Sequence, residues 1–209
     1  MNTGQGTLLI VEDDPDILNL LKTTLEFDGY RVSTARNGYE GLEAIQKERP
    51  TIVVADIMMP KLDGFGLVNR LRLDPATRDI PVVLVTATYV APEDRQFAQN
   101  IGATTFIQKP IDLEKFLVTI RELLTQGPPA VVEPLRDFDF YDEYRKRLEA
   151  KRNEKTAQIA RDEVVLEEPL SDEERYEIKA ALKRAINERD ELELLLEQIH
   201  EQLKKYATG

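Results

Sequence analysis

Residues 1–126 predict an α/β fold, a doubly wound parallel sheet built from five βα units. Residues 137–209 predict an all-α helical hairpin or coiled coil. Three observations carry this reading. Up to about Thr125, short β-branched runs alternate five times with amphipathic helical segments, as strands joined by crossover helices do. The stretch Thr125–Pro134, TQGPPAVVEP, breaks that alternation with one glycine and three prolines and marks residues 127–136 as a linker. Beyond it β-branched runs disappear and long, charged, helix-periodic segments take over.

The expected strands are Thr7–Val11, Arg31–Ala35, Thr51–Ala55, Pro81–Thr86 and Thr104–Gln108. The third and fourth are almost wholly apolar, as central strands covered on both faces must be. The expected helices between them are Asp16–Phe27, Tyr39–Glu48, Phe65–Leu73, Pro92–Ile101 and Leu113–Leu124. Asp14-Pro15 supplies an N-cap followed by proline at the first helical position, and Asp63-Gly64 a turn. In the second half, a helix is expected over Phe138–Glu163. Its start packs Phe138, Phe140, Tyr141 and Tyr144 into seven residues, a patch that must dock on something. A second helix opens at the capping box Ser171–Glu174 and runs to about Tyr206. Along it Ile178, Leu182, Ala185, Leu192, Leu196, Ile199 and Leu203 follow a heptad register, interrupted by Arg189. This predicts a dimerisation seam.

Composition narrows the chemistry. The 209 residues contain no cysteine and one histidine, His200, which excludes disulfides, thiol catalysis and a multi-histidine metal site. No basic N-terminal leader and no run of membrane-spanning length appear, so a cytoplasmic protein without membrane contact is expected. The net charge is -11 and both halves are acidic. A protein that grips a phosphate backbone ordinarily shows a basic bias, so no nucleic-acid partner is expected.

The stretch TIVVADIMMPKLDGFG poses the functional question, because a carboxylate at the tip of a buried strand is costly without a partner. In open parallel sheets, sites form beyond the carboxyl ends of the strands. Those ends carry Glu12-Asp13-Asp14, then Asp56, then Thr86-Ala87, then Lys109-Pro110. Carboxylates gathered at one edge repel unless a cation joins them, and hard oxygen ligands favour Mg²⁺.

The series VEDD, DIMMPKLDG, TAT and FIQKP, in that order at successive strand ends, resembles the receiver domain of two-component response regulators over about residues 6–126. The resemblance implies a flavodoxin-like sheet and a signalling protein, not an enzyme with a separate substrate. It implies Asp56 as phosphoacceptor, charged by a sensor histidine kinase or a phosphotransfer protein. Mg²⁺ would be held by Asp14, Asp56 and the Met58 backbone carbonyl, with Asp13 acting through water. Thr86 and Lys109 would contact the phosphoryl group, and Thr86 with Phe106 would form the switch. An aspartyl-nucleophile hydrolase is a poorer fit, since Met58 stands where such an enzyme carries its proton-donating acid. The expected output is altered protein–protein association through a C-terminal homodimer, not DNA binding. The alternative is a constitutive coiled-coil scaffold whose phosphorylation is incidental.

Overall fold

A computed structural model describes residues 6–87, 92–126, 133–169 and 171–207. The chain divides into two compact units, Met1–Pro134 and Leu135–Gly209.

The first unit is a five-stranded parallel sheet of β1 (Thr7–Val11), β2 (Arg31–Ala35), β3 (Ile52–Asp56), β4 (Val82–Thr86) and β5 (Thr105–Gln108) in the order β2-β1-β3-β4-β5. Between and after the strands run α1 (Pro15–Phe27), α2 (Gly38–Lys47), α3 (Gly64–Leu73), α4 (Pro92–Asn100) and α5 (Leu113–Gln126). This is the expected (βα)5 doubly wound architecture. The strand order reverses at β1, between β2 and β3, where such sheets open a crevice at their carboxyl edge. Every residue of β3 and β4 is buried, which accounts for their apolar sequence up to the polar residues, Asp56 and Thr86, that end them. One face of the core gathers Leu8, Ile10, Ile52, Val54, Val83 and Val85 of the sheet beneath Leu21 and Leu25 of α1 and Phe116 and Ile120 of α5.

Local chemistry sets the helix starts. The Asp14 carboxylate accepts hydrogen bonds from the Asp16 and Ile17 amides at 2.8 and 3.2 Å. Asn37 caps α2, and Asp63 caps α3 by accepting from the Gly66 amide at 2.7 Å. Lys61, at φ 69°, bends the β3–α3 connection through the left-handed region.

The second unit is a pair of helices, α6 (Asp137–Val165) and α7 (Asp172–Ala207). At 1.5 Å per residue α7 is about 54 Å long. The two run antiparallel: Tyr141 stacks on Tyr206 at 6.2 Å, Lys155 pairs with Glu188, and Arg175 Nη1 donates to the Leu166 carbonyl. The aromatic start of α6 docks here, with Phe140, Tyr141 and Tyr144 buried and Tyr206 donating its hydroxyl to Asp137 at 2.8 Å. Ala185, Leu192, Leu196 and Ile199 of the expected seam are buried, and Ile178, Leu182 and Leu203 are half-buried. The heptad stripe is thus laid against α6 of the same chain. Tyr144 is fully buried in this unit. Tyr144→Ala is therefore expected to cost about 3–5 kcal/mol of hairpin stability, as large-to-small aromatic changes in cores do. Helical circular dichroism during urea unfolding checks it.

Candidate functional site

Three strands bring their ends to one place through the backbone itself. Asp56 lies in register with Val85. The Ile57 amide donates to the Val85 carbonyl at 3.0 Å, and the Lys109 amide donates to the Thr86 carbonyl at 2.8 Å. The spacing of Asp56, Thr86 and Lys109 is therefore a property of the ladder.

Asp56 is 5% exposed. Its Oδ2 accepts from the Met58 amide at 2.6 Å, and its Oδ1 meets Lys109 Nζ at 2.6 Å. The same ammonium reaches Glu12 Oε2 at 3.0 Å. One half-buried cation is shared by two buried carboxylates. Burial raises the Asp56 carboxyl to about 6 against the pull of Lys109. Burial and the neighbouring Asp56 charge raise Glu12 to about 7. Burial alone would lower the Lys109 ammonium, but the two acids beside it outweigh that and push it up. Single-charge compensation of a two-acid pocket leaves one proton weakly contested.

Glu12, Asp13 and Asp56 each offer a carboxylate oxygen, all within 4.8 Å of one another. Three hard oxygen donors at the spacing of one coordination shell suit Mg²⁺. The structure does not bring Asp14 into this group. Its carboxylate is committed to the start of α1, and the side chain at the pocket is Glu12. Strand register explains that placement: Val11 pairs with Ala55, so the next residue, Glu12, lies across from Asp56. Of the other expected site residues, Thr86 is buried, Ala87 is exposed and Met58 is half-buried. Phe106 is half-buried in β5 beside a hollow of about 200 Å³ lined also by Arg95, Ala98, Gln99 and Thr105.

These shifts fix a pH dependence. Both acids titrate higher in the folded chain than the ordinary 3.8 and 4.5, so the folded state holds these protons more tightly than the unfolded chain. Stability is expected to fall as pH rises from the ordinary carboxylate range to about 7, and to level above it. In EDTA the melting temperature should track this fall, and Glu12→Gln should remove its upper part. Mg²⁺ should raise the midpoint more at about pH 8 than at about pH 5, because bound metal displaces the protons. A wild-type midpoint identical to that of Glu12→Gln at every pH would overturn the assignment.

The chain is similar to known proteins in sequence and in fold. The family described as the response regulator receiver domain matches residues 8–121. An uncharacterized 14.6 kDa protein of Leptolyngbya boryana is 36% identical over 126 residues, 60% of this chain and 95% of that one. The DNA-binding dual master transcriptional regulator RpaA of Synechocystis sp. is 38% identical over 117 residues, covering 56% of this chain and 48% of RpaA. Among solved structures, the chemotaxis response regulator CheY4 of Vibrio cholerae superposes with a TM-score of 0.54 at 31% identity, over 57% of this chain and 99% of CheY4.

RpaA overturns the exclusion of nucleic acid drawn from the net charge, and with it the partner and output expectations that rested on that exclusion. The physical reason is that net charge averages over a chain. Inside the acidic second half, residues 145–155 carry Arg145, Lys146, Arg147, Lys151, Arg152 and Lys155 against only Glu149 and Glu154. Among the described residues, no helix is long and apolar enough to cross a membrane.

Proposed function

Because the chain belongs to the response regulator receiver family, we propose that it serves a two-component system with Asp56 as its phosphoacceptor. The observation that supports this most directly is the buried Asp56 carboxylate, 2.6 Å from Lys109 and clustered with Glu12 and Asp13. A partner histidine kinase or phosphotransfer protein presents a phosphohistidine. A carboxylate oxygen of Asp56 attacks the phosphorus in line, the P–N bond breaks, and the departing imidazole keeps the electron pair and takes a proton from solvent. Glu12, Asp13 and Asp56, with the Met58 carbonyl, would hold Mg²⁺, which when bound offsets the charge gathering on the phosphoryl oxygens. Lys109 gives up its bond to the consumed carboxylate and pairs with a phosphoryl oxygen instead. Thr86 donates its hydroxyl to another. Its shift leaves space for the half-buried Phe106 to turn inward, so that a local bond change biases a larger surface.

For the output, the reading rests on what RpaA is named for, and this chain spans about half the length of that regulator. Control of transcription is the class of output proposed here, with the helical unit Leu135–Gly209 as the part that delivers it. The test is the full chain with Mg²⁺, with and without beryllofluoride, followed by light scattering and by retention on immobilised genomic DNA fragments, with Asp56→Ala as control. A change in mass or retention that requires Asp56 is the expected result. A chain that binds beryllofluoride and changes in neither readout would remove the switch.

A further inference from the structure

Helix α4 is buried very unequally along its length. Of its first five residues, Pro92, Glu93, Arg95 and Gln96 are exposed, and the turn buries only Asp94. Its other end is fastened. Phe97 is fully buried and meets Phe65 of α3 edge-on at 5.2 Å. The helix closes through Gly102, at φ 91°, whose amide donates to Gln99, while the Ala103 amide reaches back to Ala98 at 2.8 Å.

Beneath that turn lies a guanidinium. Arg72, at the end of α3, is 3% exposed. Its Nε donates to the Gly102 carbonyl at 2.9 Å and its Nη2 to the Ile80 carbonyl, just before β4, at 3.0 Å. A Cβ built on Gly102 would sit 2.8 Å from Arg72 Nε, so the turn is in close contact with the side chain and needs a glycine there. Nη1 is buried and meets no hydrogen-bond partner among the described residues. Burying an arginine against two carbonyls and leaving one nitrogen unmet is expensive. What it secures is a three-way junction of α3, the entry to β4 and the exit of α4. The neighbouring Thr104 extends the junction, its hydroxyl accepting from the Val82 amide at 3.0 Å.

We propose that α4 is a lever pivoted at its C-terminal end, with Arg72 as the pin. Rearrangement at Thr86 moves the first turn, residues 92–96, while Ile101–Ala103 stays with the sheet. This rests on the reading that phosphorylation of Asp56 is signalled through Thr86. It adds where the motion stops and which residue stops it.

Amide hydrogen exchange of the full chain, read by NMR with Mg²⁺ with and without beryllofluoride, tests it. The Met58 amide, now bonded to Asp56, reports occupation of the phosphoryl site on its own. In the wild type, exchange at 93–96 is expected to change by at least about fivefold, with 101–103 unchanged. In Arg72→Met the response should spread to 101–103 and shrink at the first turn. Arg72→Lys keeps the charge but cannot fork to two carbonyls, and should behave likewise. It decides the matter if the methionine variant does not fold. Equal responses at both ends of wild-type α4, or a wild-type distribution in the lysine variant, would overturn the pivot while leaving a responsive Met58 and the phosphoacceptor reading intact. A silent Met58 would remove both.

Discussion

Asp56→Asn is expected to abolish phosphoryl uptake from acetyl phosphate, read as the absence of the phosphoryl mass in intact-protein spectrometry. The change is nearly isosteric, so the ladder that positions the side chain survives; what goes is the nucleophilic oxygen pair. Stability should move the other way. Asp56 is a buried acid whose burial raises its proton affinity, and an amide in its place removes the charged form that the pocket disfavours. Above neutral pH and without Mg²⁺, the variant should therefore melt higher than the wild type. Mg²⁺ should narrow that gap by favouring only the wild-type carboxylate. An Asp56→Asn variant that still gains one acid-stable or acid-labile phosphoryl group would move the phosphoacceptor elsewhere.

Gly64→Ala is expected to damage fold and chemistry together, although its backbone lies outside the left-handed region. The Gly64 amide donates to the Ile57 carbonyl at 3.0 Å, which brings the start of α3 directly over the end of β3. A Cβ at Gly64 would run into the carbonyl oxygen of Asp56 and lie 2.9 Å from the Ile57 Cα. Both are backbone atoms of the strand that carries the phosphoacceptor, so no side chain can swing aside. A cost on the order of 3 kcal/mol follows, at the upper end for overpacking. Phosphoryl uptake should drop with it, because the displaced carbonyl belongs to the residue that must attack. Denaturant unfolding and the acetyl phosphate reaction, run on one sample, check both. Wild-type stability with wild-type uptake would show that the strand end yields freely.

The sheet was legible because its signals are local and repeated. Five β-branched runs with helical spacers mark a parallel βα sheet, and the apolar stretches Ile52–Ala55 and Val82–Val85 identify the centre. The convergence of Asp56, Thr86 and Lys109 was legible for the same reason, since parallel strands all end on one edge. Glu12 and Asp14 were harder to tell apart. Both follow β1, and although Asp14-Pro15 already marked a helix start, only the ion pair shows that Glu12 is the residue facing Lys109. The heptad of α7 was visible, but a period says only that a face is apolar. That α6 of the same chain covers it depends on Phe140, Tyr144 and Leu148, all buried, in a helix whose remaining sequence is mostly charged. Net charge misled about partners because it is a sum, and recognition depends on where charges stand.

The ladder linking Ile57 to Val85 and Lys109 to Thr86 also bears on time. Reacting groups bolted to adjacent strands have no slow search for geometry ahead of them, and their dipoles need little rearrangement when charge develops. Phosphoryl uptake should therefore begin without a lag and rise in proportion to a small donor's concentration. The tempo of the signal would then be set by how often donors arrive, and by how quickly the helices answer.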